Sequence, residues 1–314
     1  MWPLNFNLSQ QTISEEFVLY LLGTISISYI LLYTVIVKIP EIYDNSQVTN
    51  ALSTQVGTSE AIRLLNNQKR IHYLNNNSYK NLRYKQWLAG LIDGDGCFLL
   101  SKKGYASLEI TMDIRDERAI QAVKNIYGGS IKLRSGVSAL RYRLHNKQGL
   151  LKLINDINGE IRNPIRLIQL NYICVKYDIT LKYPEKLTLN NGWLSGFWDA
   201  DGSVSINNST WQLSISAGQK TSEILTPLVE LYGGYVYIDR GGQGSFKWYV
   251  TKKEDILNLI EYFKKCPSRS AKNNRLHLIP KFYVLKGMKA HIAPEKSLLA
   301  KSWNIIMNKW NNYD

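Results

Sequence analysis

The alternation of hydrophobic and polar positions predicts a regular series of helices and strands between residues 83 and 178. Apolar residues recur at helical spacing before Gly96, which predicts a short helix that ends in acids and glycines. Period-two alternation interrupted by turn residues then predicts two hairpins. The elements predicted after the first helix are strands 97–103 and 106–114, helix 116–127, strands 130–134 and 139–144, and helices 147–157 and 164–178.

The same order of elements recurs in the second half of the chain. Another short apolar helix ending in acids precedes Gly202. The elements predicted after it are strands 203–208 and 211–218, helix 221–232, strands 235–239 and 245–251, and helices 253–264 and 273–287. An internal duplication of this kind predicts an α+β fold with two αββαββα halves.

The two short helices carry the clearest sign of the duplication. Their last acids, Asp95 and Asp201, are 106 residues apart (201 − 95). Each helix has small residues four positions apart on one face, a spacing that allows two helix backbones to approach closely. These predicted helix-interface residues are Gly90, Gly94, Gly196 and Ala200.

The position of the acids at the helix ends indicates chemistry rather than stability. The helix dipole disfavours a carboxylate at a helix C-terminus, where Asp95 and Asp201 both lie. Two such helices packed side by side would bring the two carboxylates together. The pattern therefore predicts a divalent-metal site on a pseudo-two-fold axis.

The N-terminal part of the chain predicts different structure. Residues 17–37 form an uncharged apolar stretch of 21 residues, long enough to span a bilayer as a helix. We therefore predict an N-terminal segment 1–40 containing this transmembrane helix. The remaining predicted boundaries are a polar linker 41–82, a first repeat 83–182, a second repeat 183–290 and a C-terminal tail 291–314.

The net charge of +14 favours an anionic partner, and its distribution shows where that partner would bind. Residues 1–80 hold five basic and five acidic residues. The later part of the chain holds 34 basic (39 − 5) and 20 acidic (25 − 5) residues, with Tyr and Trp among them. This pattern is typical of nucleic-acid binding.

Cysteine and histidine usage excludes several other classes of protein. The three cysteines are far apart and form no CxxC or Cys/His ligand pattern, which argues against a zinc module or a disulfide framework. The four histidines are also scattered, which argues against a His-metal nuclease and a Ser-His-Asp hydrolase.

The two motif segments, Leu88–Gly96 and Leu194–Gly202, resemble those of monomeric, two-motif LAGLIDADG homing endonucleases of the organellar, intron-encoded endonuclease/maturase type. The first segment differs from the family motif only by Gly94 in place of Ala. The second departs at three positions and keeps both acids. The resemblance implies two four-stranded antiparallel sheets that form a DNA-binding saddle. It also implies Mg²⁺, or Mn²⁺ in its place, held by Asp95 and Asp201 with Gly94 and Ala200.

The resemblance further implies a polar residue and a basic residue near each scissile phosphate. In the second repeat these are Gln219, Lys220 and Lys272. In the first repeat, Ile114 and Arg115 occupy the place assigned to the polar element, and the place assigned to the basic element holds Asn163 next to Arg162. Asp93 and Asp199 are interpreted as structural or supporting residues. These differences predict two unequal half-sites.

Strand alternation directs one face of each predicted sheet toward solvent, where long polar and aromatic residues would contact DNA. The residues predicted to bind DNA are Lys102, Arg134, Arg141, Arg143, Tyr237, Arg240, Lys247 and Tyr249.

The resemblance implies an intron-encoded DNA endonuclease that makes a staggered double-strand cut with Mg²⁺. Two alternative functions, an oligomeric state and a location follow as hypotheses. The chain could act as an RNA maturase that assists splicing of its host group I intron, or as a non-catalytic DNA-binding regulator. It is expected to act as a monomer, in the mitochondrion, either in the matrix or anchored to the inner membrane through 17–37.

Overall fold

The structure, a computed structural model, describes residues 80–240 and 244–312. The predicted transmembrane helix 17–37 and the greater part of the predicted linker lie outside these residues. No helix within the described ranges is both long and apolar enough to cross a membrane.

The first half contains one antiparallel sheet with helices on one side. The strand order is β1-β2-β4-β3, so the second hairpin packs beside β2 rather than beside β1. The buried positions of β2 alternate strictly with partly exposed ones. The elements are α1 (80–95), β1 (Gly96–Leu100), β2 (Ala106–Asp113), α2 (Glu117–Tyr127), β3 (Ser130–Leu133), β4 (Ala139–Leu144), α3 (Lys147–Ile157) and α4 (Pro164–Lys176).

The second half repeats this arrangement, and its strands follow the order β5-β6-β8-β7. The elements are α5 (Trp193–Asp201), β5 (Gly202–Asn207), β6 (Gln212–Gln219), α6 (Thr226–Tyr232), β7 (Tyr235–Asp239), β8 (Ser245–Val250), α7 (Lys253–Lys265) and α8 (Asn273–Gly287). The predicted α+β fold, with its duplicated halves and two four-stranded antiparallel sheets, is therefore confirmed.

One predicted helix is shorter than its hydrophobic pattern suggested. The prediction 221–232 placed its start five residues too early, because α6 begins at Thr226. Pro227 lies in the first turn of the helix. Backbone N–H groups there have no intrahelical acceptor, so the missing N–H of proline costs no hydrogen bond. Further upstream, the amides of Leu225 and Thr226 bond to the carbonyl of Ser222 in a separate turn.

The C-terminal residues form a further helix, α9 (Leu298–Asn311), that packs against α8. Its buried Trp303 lies 5.5 Å from the ring of Phe282 and 5.0 Å, edge-on, from Trp211. Trp211 lies in the turn between β5 and β6, and its carbonyl accepts a hydrogen bond from Lys286 Nζ at 2.6 Å. The C-terminal helix therefore holds the first hairpin of the second half in place.

Candidate active site

The helices α1 and α5 cross with their backbones in direct contact. A Cβ added at Gly90 would lie 2.0 Å from the carbonyl oxygen of Trp193. At the matching position, a Cβ on Gly196 would lie 1.7 Å from the carbonyl oxygen of Trp87. Only glycine fits at either position, so the crossing point depends on these two residues.

Two reciprocal hydrogen bonds tie the helices together. Trp193 Nε1, on α5, donates to Asp93 at 2.7 Å, and Trp87 Nε1, on α1, donates to Asp199 at 2.8 Å. Both carboxylates are buried, and burial raises the pKa of Asp93 to about 7 against the opposing effect of its hydrogen bonds. A buried carboxylate requires such donors, because an unpaired buried charge is very costly. These contacts support the interpretation of both acids as structural residues.

The loops that follow each half complete the hydrogen bonding of these acids. The amides of Arg162 and Asn163 donate to Asp93, and the Asn163 side chain donates to the Asp93 carbonyl at 3.0 Å. In the second half, Arg269 N donates to Asp199 at 2.7 Å, and the hydroxyl of Ser270 donates at the same distance. Each loop is thereby fixed against the motif helix of its own half.

The last acid of each motif helix is less enclosed than the first. Asp95 and Asp201 are both partly exposed. Burial raises the pKa of Asp95 to about 7; the negative charge of Asp201 adds to the rise, and Lys272 opposes it. Burial also raises the pKa of Asp201 to about 6, against a hydrogen bond from Gln219 and the charge of Lys272. The site therefore concentrates negative charge that a cation would relieve.

The polar neighbours of the two acids differ. Gln219, the last residue of β6, donates from Nε2 to Asp201 at 2.6 Å. Strand register places Met112 at the equivalent position, because Gly96 pairs with Ile110 as Gly202 pairs with Ala217, and Met112 pairs with Leu140 as Gln219 pairs with Phe246. The counterpart of Gln219 is therefore the apolar Met112, and the earlier assignment of this place to Ile114 and Arg115 is corrected by strand register. Asp113, the last residue of β2, forms an ion pair with Arg115 at 2.9 Å.

The basic neighbours differ as well. Lys272 Nζ donates to the carbonyls of Asp199 at 2.7 Å and Ala200 at 3.2 Å, at the C-terminal end of α5. Arg166 Nη2 reaches the Gly94 carbonyl at 3.4 Å, at the matching end of α1. The positive charges of both side chains partly offset the rise in the pKa of Asp95 and Asp201 that burial causes.

Sequence reasoning missed Arg166, although the repeat spacing identifies it (272 − 106). The assignment of Asn163 and Arg162 to this position is wrong, because both residues hold Asp93 instead. Lys220 is exposed, and the structure gives it no hydrogen bond or ion pair with another described residue. Its catalytic role remains a prediction.

A family model described as LAGLIDADG endonuclease matches residues 88–161 and 194–283. The two matched stretches cover the two motif helices, both sheets and most of the helices behind them. The chain belongs to the LAGLIDADG endonuclease family.

Relatives within this family carry both endonuclease and maturase names. The chain is 43% identical over 301 residues to the intron-encoded RNA maturase bI4 of Saccharomyces cerevisiae, covering 86% of this chain and 47% of the maturase. It is 40% identical over 235 residues to the intron-encoded DNA endonuclease ai2b of Dictyostelium discoideum, covering 72% of this chain and 88% of that protein. The chain spans only 39% of a Debaryomyces hansenii relative that is 38% identical to it.

Solved structures show the same fold at low sequence identity. The K103A mutant of I-SmaMI aligns with a TM-score of 0.54 and 20% identity, over 73% of this chain and 97% of that one. The meganuclease I-AabMI, solved bound to uncleaved DNA, aligns with a TM-score of 0.53 and 21% identity, over 71% and 98%. At these identities the likeness shows the LAGLIDADG fold alone.

The donor set of the site fits a hard cation that retains water and substrate ligands. Among residues 80–240 and 244–312, no group of three or more His, Cys, Asp or Glu is placed to hold a metal. Mg²⁺ commonly binds through one or two carboxylates, completed by water and phosphate oxygens. Asp95 and Asp201 supply such carboxylates. The Gly94 and Ala200 carbonyls each accept a hydrogen bond from a cationic side chain, which leaves a second lone pair on each oxygen.

The residues predicted to bind DNA lie on the sheets, or at their turns, facing away from the helices. Arg141 and Arg143 alternate along β4 with buried residues. Lys247 and Tyr249 do the same along β8, and Tyr237 is the exposed partner of Lys247 on β7. Lys102, Arg134 and Arg240 are exposed at or beside turns. The prediction that these eight residues contact DNA stays a prediction.

Proposed function

We propose that this chain is an intron-encoded, site-specific DNA endonuclease that makes a staggered double-strand cut by phosphodiester hydrolysis. The observation that carries the proposal is the pair Asp95 and Asp201, one carboxylate from each half, at adjacent ends of two helices in contact. Because each acid belongs to a different half, each serves one strand of the duplex.

The surrounding residues have separate tasks in this proposal. Asp95 and Asp201 hold Mg²⁺ or Mn²⁺, with the Gly94 and Ala200 carbonyls as further ligands. The bound ion supplies Lewis-acid polarisation of the scissile phosphates and an activated water. Gln219 orients the Asp201 carboxylate. Lys272 provides positive charge beside both acids, where the substrate phosphate adds negative charge.

The surface chemistry supports double-stranded DNA as the substrate. The outward sheet faces carry cations and tyrosines that suit phosphate contacts and base contacts in the major groove. The intron-encoded relatives and the abundance of Asn, Ile, Tyr and Lys support a mitochondrial origin with an AT-rich genome. The proposal also includes a membrane anchor at residues 17–37, repeat boundaries at 83–182 and 183–290, and action as a monomer.

One observation favours a second candidate function. A relative matched over 86% of this chain, at 43% identity, is named an RNA maturase. A protein of this fold that binds its host intron RNA would assist splicing without cutting DNA. Retention of both site acids favours the nuclease, and it is compatible with a dual role.

The experiment that tests the proposal uses the full chain with Mg²⁺ and a plasmid library of AT-rich duplexes that includes the intron-less host gene. Double-strand cutting should occur at one site and should be lost in both Asp95→Asn and Asp201→Asn. Asp178→Asn, an exposed acid between the halves, is the matched control and should cut normally. Cutting that survives in both motif variants would refute the assignment. Absence of cutting together with tight binding to intron RNA would establish the maturase instead.

A further inference from the structure

The outward face of the first sheet is strongly cationic. Strand pairing places Lys132 opposite Arg141, and it places Arg143 opposite Glu109. Glu109 forms an ion pair with Arg143 at 2.6 Å and lies 3.8 Å from Arg141, so one acid is shared between two guanidinium groups. A cavity of about 470 Å³ on this face has Lys132, Arg134, Arg141 and Arg143 in its lining.

The outward face of the second sheet is built mainly from tyrosine and serine, with Lys247 opposite Tyr237. Tyr235, Tyr237 and Tyr249 form a cluster with ring centroids 5.8 to 6.0 Å apart. Tyr235 and Tyr237 are exposed. Serines occupy the outward positions of the two neighbouring strands, and the Ser205 and Ser214 hydroxyls lie 2.9 Å apart. The serines on these strands are Ser203, Ser205, Ser214 and Ser216.

The charge of the two strand regions differs accordingly. Residues 96–113 and 130–144 hold six cations and two acids, a net charge of +4 (6 − 2). The matching residues 202–219 and 235–250 hold two cations and one acid, a net charge of +1 (2 − 1). The duplication therefore conserves the shape of the two sheets but not the chemistry of their outward faces.

We infer that the two sheets recognise their DNA half-sites by different chemistry. The first sheet binds through phosphate contacts and through arginines that pair with guanine. The second sheet reads an A·T-rich half-site through tyrosine contacts with thymine methyl groups. Arg binds the O6 and N7 of guanine in the major groove, whereas apolar groups contact the methyl of thymine. This inference rests on the proposed endonuclease function and adds the base preference of each half-site.

The first test is a binding selection of the full chain on randomised duplexes, with Ca²⁺ in place of Mg²⁺. The selected site should contain guanines in one half and A·T pairs in the other. Replacing thymine by uracil removes only the methyl group, and in the A·T-rich half it should weaken binding about tenfold in total. Replacing guanine by 7-deazaguanine should weaken binding in the other half alone.

Protein variants then assign each half-site to a sheet. Arg141→Gln should relax the guanine preference and reduce the slope of log K against log salt by about one. Tyr237→Ala should remove the sensitivity to uracil and leave the salt slope unchanged. The matched controls Arg118→Gln, on the helix behind the first sheet, and Tyr183→Ala, between the halves, should change neither quantity.

Two different results would count against these ideas. If both halves of the selected site respond equally to uracil, 7-deazaguanine and salt, the inference is overturned. Cutting at that site with Mg²⁺ would then still support the proposed endonuclease function. Failure to select any duplex sequence would overturn both the inference and the proposed function.

Discussion

Substitution of Gly196 by alanine tests whether the contact between α1 and α5 organises the whole protein. The added Cβ would lie 1.7 Å from the Trp87 carbonyl oxygen and 2.8 Å from the Leu91 amide nitrogen. Both obstacles are backbone atoms, so no side chain can rotate to make room. The helices must separate by about 1.5 Å to restore an ordinary contact of about 3.3 Å between carbon and oxygen.

The size of the effect follows from two opposing contributions. Overpacking of this kind costs about 1–3 kcal/mol, and we expect the upper end because rigid backbone lies opposite. Alanine in place of glycine inside a helix returns about 1 kcal/mol. The net loss of about 2 kcal/mol corresponds to a fall of about 4–8 °C in the unfolding midpoint, for a folded unit of about 200 residues.

Calorimetry or thermal fluorescence on the full chain would measure this shift. Gly287→Ala is the matched control, because a Cβ at this helix terminus would meet nothing within 4 Å. The control should unfold at the wild-type temperature or slightly above it. The reasoning fails if Gly196→Ala unfolds at or above the wild-type midpoint. Gly196→Ala should also lose cleavage, because separation of the helices moves Asp95 away from Asp201.

Three further predictions concern side chains of the site. Burial raises the pKa of Asp95 from 3.8 to about 7 in the folded state, so the acid destabilises the fold as pH rises from about 4 to 7. Asp95→Asn in EDTA should therefore raise stability by about 4 kcal/mol at pH 8, from about 3 pKa units at about 1.4 kcal/mol each, and by almost nothing at pH 4. Thermal unfolding across pH measures this, and a gain of equal size at both pH values would contradict it. Lys272→Ala should reduce the cleavage rate at least about 100-fold, because it removes the positive charge beside both acids. Lys220→Ala should reduce the rate less than about tenfold. Equal losses in the two variants would contradict the role given to Lys272. Met112→Gln places a Gln at the position equivalent to Gln219 and should narrow the difference between the rates at which the two strands are nicked, measured on end-labelled duplex. An unchanged rate ratio would refute the role given to Gln219.

Much of the fold follows from the sequence because alternation and spacing are local signals. Strands 139–144 and 235–239 were predicted with the bounds that the structure has. Their inward residues are hydrophobic, and apart from Ala139 their outward residues are polar or tyrosine, so the period-two pattern is clear. The start of α6 was misjudged, because hydrophobic periodicity continues through residues 221–225 although the backbone there forms a turn.

The site was harder to predict because its contacts join residues far apart in sequence. The Trp87–Asp199 bond spans 112 residues, and nothing local to either residue indicates it. Arg166 was accessible through the 106-residue spacing, but comparison of short motifs drew attention to neighbouring residues instead. Met112 was not, because it lies 107 residues before Gln219 (219 − 112) and only the pairing of the strands identifies it. Strand register, rather than motif likeness, identifies the residue that occupies an equivalent position.

Some contacts join the two halves and others lie within one half, and this difference explains which features of the duplication are the same in both halves. Gly90 and Gly196 serve a single interface, so a larger residue in either half would separate both helices. The two Asp–Trp bonds also cross that interface. Each outward sheet face, by contrast, belongs to one half alone, so its charge can change without disturbing the other sheet. The strand residue at the position of Gln219, which is Met112 in the first half, is equally local to its half. A duplicated protein with one shared interface and two separate faces is therefore expected to conserve its packing and to diverge in recognition.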